Sequence, residues 1–166
     1  MNANAFRQLY DYHFSENRKI WDHCVMALSQ EQFIQDASYS HGSVRNQIAH
    51  MMNADDMWFC ELRGVANPNL LDTEVNDRQL IREHWDAVER TMQGYLSSLR
   101  DEMLFQKPIT VPEEDKILFT WQVLLHVANH GTDHRAQVLR LLNDLGVKTE
   151  SQDFIFYVFE HQGKSS

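Results

Sequence analysis

Nine histidines occur in this chain of 166 residues, and three of them, His126, His130 and His134, recur at intervals of four. On a helix, neighbours in such a series lie on one side about 6 Å apart in rise, so each adjacent pair could grip one cation. His126 and His134 are separated by about 12 Å of rise, too far to share an ion whose bonds to nitrogen are about 2.0 Å. A helical wheel at about 100° per residue chooses between the two ends. Val123, Val127, His130, Val138, Leu141 and Leu145 fall within roughly 40° of His134. His126 falls about 80° away, on the edge of that face. His130 and His134 are the candidate pair, pointing into the core. Two buried imidazoles lose hydration and repel each other when protonated, and a bound cation removes both difficulties. The pair lacks the intervening Glu of the HExxH zinc proteases and with it their built-in general base. Because HxxxH also recurs by chance in helices, spacing alone leaves two packed core histidines as the alternative.

A third ligand should come from a facing helix, and His50 is the best candidate. It sits mid-helix on the margin of an apolar stripe, in line with Ala54 and Met57. That stripe is centred near Asp55, which reads either as a hydrogen-bond partner of a ligand imidazole or as a member of a local salt bridge or cap. On the first helix His13 and Asn17 fall at the centre of the apolar face, as pocket lining or as hydrogen-bonded core residues. His23, His41, His84 and His161 read as surface or edge residues. Cys24 and Cys60 each stand alone among apolar neighbours and read as small buried hydrophobes, not as ligands.

These side chains need helices to position them. Phe6, Leu9, Tyr10, His13, Ile20, Trp21, Cys24, Ala27 and Leu28 form one stripe at a 3.6-residue period, predicting a first helix over residues 4–29. Ser43 can cap a second helix that buries Val44, Ile48, Met51, Met52, Trp58, Phe59 and Leu62 and stops near Gly64. A loop over 65–73 leads to a third helix over 76–99, whose Ile81, Trp85, Val88, Met92, Tyr95 and Leu99 follow a bundle-type seam. Pro108 and Pro112 make the next segment extended or turn-like, and a fourth helix is expected over 116–145, ending at Gly146. The apolar run 154–159 fits a strand or a short helix, with a short docked helix favoured. The expected architecture is an all-α four-helix bundle with a short C-terminal segment docked on it, one domain over residues 1–166.

Composition agrees and excludes other classes. Only 6 Gly and 3 Pro interrupt a chain that is 43% hydrophobic and 23% charged, and the length suffices for a sizeable core. The formal net charge of −9, without a run of basic residues, argues against a nucleic-acid partner. No stretch approaches the 18 or so apolar residues of a membrane span, and no secretion signal is visible, so a cytoplasmic location is expected.

Three stretches together resemble the DinB family of helical proteins, which is unrelated to the DNA polymerase sharing that name. They are Asp11-Tyr12-His13 with Asn17, then Ile48-Ala49-His50, and then the run from Leu125 to Gln137 that contains His130-Gly131-Thr132-Asp133-His134-Arg135. Asp153-Phe154 and the aromatic run after it resemble the family's closing segment, so the likeness covers nearly the whole chain. The resemblance implies a divalent ion held by His50, His130 and His134, and it supplies what the wheel left open about His50. Ala136 stands where the family often has Gly, a small-for-small change. Members with assigned chemistry include bacillithiol transferases and mycothiol-dependent maleylpyruvate isomerases, and others are labelled metal-dependent hydrolases. The expected function is a metal-dependent enzyme using a low-molecular-weight thiol; a metal-dependent hydrolase and a non-catalytic, stress-associated metal-binding protein are the alternatives. Zinc or nickel is the expected ion, ahead of iron or manganese. The resemblance also implies a small-molecule substrate and a homodimer.

Overall fold

The computed structural model describes residues 2–65 and 67–161, and all regular structure among them is helical. Four long helices form the bundle: α1 (Ala3–Lys19), α3 (Val44–Arg63), α4 (Arg78–Ser98) and α5 (Thr120–Asp144). Two short helices, α2 (Gln30–Ile34) and α6 (Phe154–His161), flank it. Side-chain caps start most of them. Asn2, Ser29, Ser43 and Asp77 each accept a hydrogen bond from a first-turn amide, of Ala5, Gln32, Asn46 and Leu80 respectively, satisfying donors that a helix leaves free. Gly64, at φ 65°, closes α3 with its amide directed at Cys60 and Glu61 carbonyls.

The core runs along the inner faces. Phe6, Tyr10, Ile48, Met52, Phe59, Ile81, Met92, Leu124 and Val138 are essentially inaccessible to solvent and belong to one apolar cluster. Tyr10 sits edge-on to Phe59, which in turn meets Tyr95, so aromatic contacts join α1, α3 and α4. Burying such side chains drives bundle formation, at roughly 25 cal/mol per Å² of apolar surface removed from water. No helix among the described residues is long and apolar enough to cross a membrane.

Two local expectations need correction, and one short helix is additional. The first helix is α-helical only to Lys19; it then widens into a π turn (Ile20–Cys24) and tightens into a 3-10 turn (Val25–Ala27). Trp21 there packs edge-on against both Phe33 and Trp85, so tertiary packing rather than helix periodicity governs this turn. Gln30–Ile34 then form α2, capped by Ser29, and its Ser29–Gln32 capping box can be read in the sequence. The last long helix begins at Thr120, not near 116. Leu118 and Phe119 are extended, and Thr120 donates both its amide and its hydroxyl to the Gln106 carbonyl. The preceding Glu113–Ile117 is a 3-10 turn.

The C-terminal run is the helix α6, held on α1 by Tyr12. Its hydroxyl donates to the Gln152 carbonyl at 2.6 Å, and its ring meets Phe154 and Tyr157 edge-on. Lys19 adds an ion pair to Glu160. Truncating Ile81, wholly buried on α4, checks the packing account away from the histidines. Ile81→Ala is expected to cost about 2–5 kcal/mol in urea unfolding, and a loss below about 1 kcal/mol would contradict the burial.

Candidate metal centre

The run His130-Gly131-Thr132-Asp133-His134-Arg135 folds as mid-helix of α5, and its residues divide between two faces about 100° apart. His130 and His134 occupy one face, toward α3. Gly131 and Arg135 occupy the next, toward α1. Each face does a different job.

On the α1 side a buried polar chain crosses the bundle. Arg135 Nη1 donates to His13 Nδ1 at 3.2 Å, and His13 Nε2 lies 3.1 Å from Asp55 Oδ2. Because Nδ1 faces a guanidinium that can only donate, the ring proton belongs on Nε2, where Asp55 accepts it. Arg135 also donates to Asn17 Oδ1 and Thr132 Oγ1, and its guanidinium lies over the Tyr12 ring, 5.2 Å from the centroid. Burial pushes the Arg135 pKa down, partly offset by Tyr12 and the carboxylates of Asp55 and Glu16. His13 is 0% exposed and Arg135 1%. His13 and Asn17 are thus hydrogen-bonded core residues, and the hydrogen bond of Asp55 goes to His13. This arrangement requires Gly131, because a Cβ there would stand 2.3 Å from His13 Cε1.

On the α3 side the imidazoles gather. His50 Nε2 lies 3.1 Å from His130 Nε2. Ring centroids are 4.2 Å apart for His130 and His134, and 4.5 Å apart for His50 and His134. His134 is 9% exposed, while His50 and His130 are half-buried. Side chains on a helix tilt toward its N-terminus, so His50 on α3 leans toward the loop that precedes Ser43. There it meets His41, whose ring stacks on it at 3.8 Å. One nitrogen from each of His41, His50 and His134 lies within 4.8 Å of the others. His41 is exposed, as expected, but its contact with the cluster was not anticipated. The only signal for it in the sequence is its position just before the cap of the helix that carries His50. His126 is exposed and packs edge-on against Trp58, with its centroid 5.9 Å from that of His130.

The cluster fits a divalent cation. Two nitrogens bound to one ion at about 2.0–2.1 Å stand roughly 2.9–3.4 Å apart at angles from square to tetrahedral, and the His50–His130 separation falls in that range. Burial, reinforced by the neighbouring imidazoles, lowers the pKa of His50 to about 4. Burial and His134 lower that of His130 to about 4, against the opposing pull of Asp55 and Asp133. His134 is shifted the same way, mainly by burial. Neutral imidazoles near pH 7 keep lone pairs free for a metal, and the three histidines that each bring a nitrogen within 4.8 Å of the others are His41, His50 and His134, with the expected ligand His130 joined to them through His50. Beside the cluster, Trp58, Leu118, Gln122, Val123 and His126 line a largely apolar cleft of about 310 Å³.

The two mid-helix glycines separate close packing from helix propensity. Gly94 of α4 has open space where its Cβ would go, so Gly94→Ala is expected to stabilise by about 0.5–1 kcal/mol. Gly131→Ala is expected to destabilise by about 1–3 kcal/mol through the clash with His13. Urea unfolding of both variants checks the sign, and a stabilised Gly131→Ala would contradict the fit around His13.

Comparison with known proteins agrees with this architecture. A family model described as the DinB family matches residues 1–164. Protein DinB of Bacillus subtilis is 26% identical over 167 residues, covering 96% of each chain. The crystal structure of a DinB-like protein from Bacillus cereus superposes with a TM-score of 0.67 at 17% identity, covering 90% of this chain and 97% of that one. At that identity the superposition shows a shared fold and no more.

Proposed function

The chain belongs to the DinB family, and we propose from that premise that it is a metal-dependent enzyme that transfers a low-molecular-weight thiol to an electrophile. His50, His130 and His134 hold the ion, with zinc or nickel as the preferred metal. The observation that carries this reading is the 3.1 Å approach of two ring nitrogens whose imidazoles are neutral at physiological pH. A divalent ion held by three neutral ligands supplies a double positive charge beside an open coordination position, which favours the thiolate form of a nearby thiol.

The chain's own thiols do not suit that role. Cys24 and Cys60 are both buried. Burial raises both pKa values, assisted by Glu150 for Cys24 and chiefly by Asp56 for Cys60, and away from the thiolate both are poor nucleophiles. The reacting sulfur therefore comes from a cosubstrate. The apolar cleft beside His126 suits the carbon framework of the electrophile, with Trp58 as its flat wall. A hydrolase needs a general base within reach of water. Among the described residues no carboxylate joins the imidazole group; Asp55 is bonded to His13 and Asp133 accepts from Gln137.

Metal-loaded protein is incubated with the common cellular thiols and a chromogenic electrophile. The expected result is turnover that requires both metal and thiol and falls on the order of 100-fold or more in His50→Ala. Metal binding without thiol-dependent turnover would overturn the transferase reading, and thiol-independent cleavage of an ester or amide would replace it with hydrolysis.

A further inference from the structure

His41 lies outside the helices that carry the other three imidazoles, in the loop between α2 and α3. Its ring stacks on His50 with centroids 3.8 Å apart and planes inclined by 21°, and its centroid is 5.5 Å from that of His134. His130 meets His50 through Nε2. His50 and His134 therefore belong to two overlapping groups, one completed by His130 and the other by His41.

The loop is built to present this side chain. Ser40 is at φ 51° and Gly42 at φ 88°, so His41 is flanked by two left-handed residues. At position 42 this φ favours glycine, and a Cβ there would also displace the exposed Asp36 carboxylate, whose Oδ1 would stand 2.5 Å away. Ser40 Oγ is hydrogen-bonded to Gln137 of α5 and accepts from Gln47 Nε2 of α3 at 3.1 Å. Gln47 is wholly buried, donates to Gln137 at 2.6 Å, and has its amide nitrogen 3.4 Å from His134 Nδ1. One buried amide thus anchors the loop and touches a histidine of the cluster. Non-glycine residues adopt positive φ at a cost, and such conformations persist only where surrounding contacts hold them.

We propose that His41 is a fourth imidazole ligand, delivered by the loop from the exposed side to the coordination position that His50, His130 and His134 leave open. This rests on the reading of the cluster as a divalent-metal centre. Four imidazole nitrogens complete a tetrahedral shell, so the resting centre is closed. Of the four, His41 alone is carried by a loop and exposed, which makes it the ligand that gives way when a substrate atom needs the position. The loop then governs access to the metal, and a plain aromatic stack on His50 is the competing explanation of the same geometry.

His41→Phe distinguishes the two, since phenylalanine keeps a stacking ring and lacks the nitrogen. Full-length wild type and variant, each loaded with zinc, are compared by X-ray absorption at the zinc edge, with bound metal counted by elemental analysis and folding checked by circular dichroism. The expected result is four imidazole nitrogens on the metal in wild type, and three plus an oxygen donor in His41→Phe, at one zinc per chain in both. His41→Gln serves as a second variant if the phenylalanine is not accommodated. Equal imidazole counts in wild type and variant, at one zinc per chain, would overturn the proposal and leave the three-histidine centre standing. No stoichiometric metal in the wild type after loading with zinc or, separately, with nickel would overturn both.

Discussion

The arrangement depends most on the close approach of α1 to α5 at Gly131, where the imidazole of His13 occupies the space of a missing side chain. That approach carries a line of buried groups from the Arg135 guanidinium through His13 to the Asp55 carboxylate, tying α1, α3 and α5 together. A buried guanidinium without compensation is costly, and truncating one partner of such a group typically costs several kcal/mol. Asn17, Thr132 and the Tyr12 ring supply further contacts, while the buried Arg135 Nε has no hydrogen-bond partner among the described residues. Buried polar groups of this kind specify one relative placement of helices, since a shift of one turn would leave charges unpaired. The placement matters because His130 and His134 alternate along the same helix with Gly131 and Arg135. Fixing one face of α5 against α1 fixes the other against α3.

The second face has a different electrostatic character. It collects imidazoles whose burial and mutual proximity keep His50 and His130 unprotonated to well below neutral pH. In a metal-free chain one ring must share a proton with its neighbour across 3.1 Å; a cation replaces that proton with stronger bonds to both nitrogens. The carboxylates near the cluster are engaged elsewhere, Asp55 with His13 and Asp133 with Gln137. The donor set is therefore neutral, and a bound divalent ion keeps its charge for a substrate.

Most of the helical framework was legible in the sequence because the apolar stripes on α1, α3, α4 and α5 follow the helical period and Ser43 and Gly64 mark the ends of α3. Geometry along a single helix also paired His130 with His134 and set His126 aside. Contacts between elements could not be read the same way. The wheel put His50 on a margin of its helix, and only the packing of α3 against α5 brings its nitrogen to His130. The role of Asp55 likewise depended on which imidazole faces it across the core, and that imidazole is His13. His41 was passed over because periodicity carries no information in a loop, where two positive-φ residues decide the direction of the side chain. The π turn after Lys19 and the late start of α5 were missed for the same reason, since packing of Trp21 and the Thr120–Gln106 bonds override local preference.

The central claim is that this face of α5 and the facing turn of α3 hold one divalent ion between His50, His130 and His134. Anomalous scattering from crystals of the full chain, grown with zinc or nickel and measured above and below the metal's absorption edge, tests it most directly. The account predicts one anomalous peak per chain within about 2.0–2.3 Å of a ring nitrogen of each of the three residues. No peak there with either metal, or a peak ligated elsewhere in the chain, would contradict it.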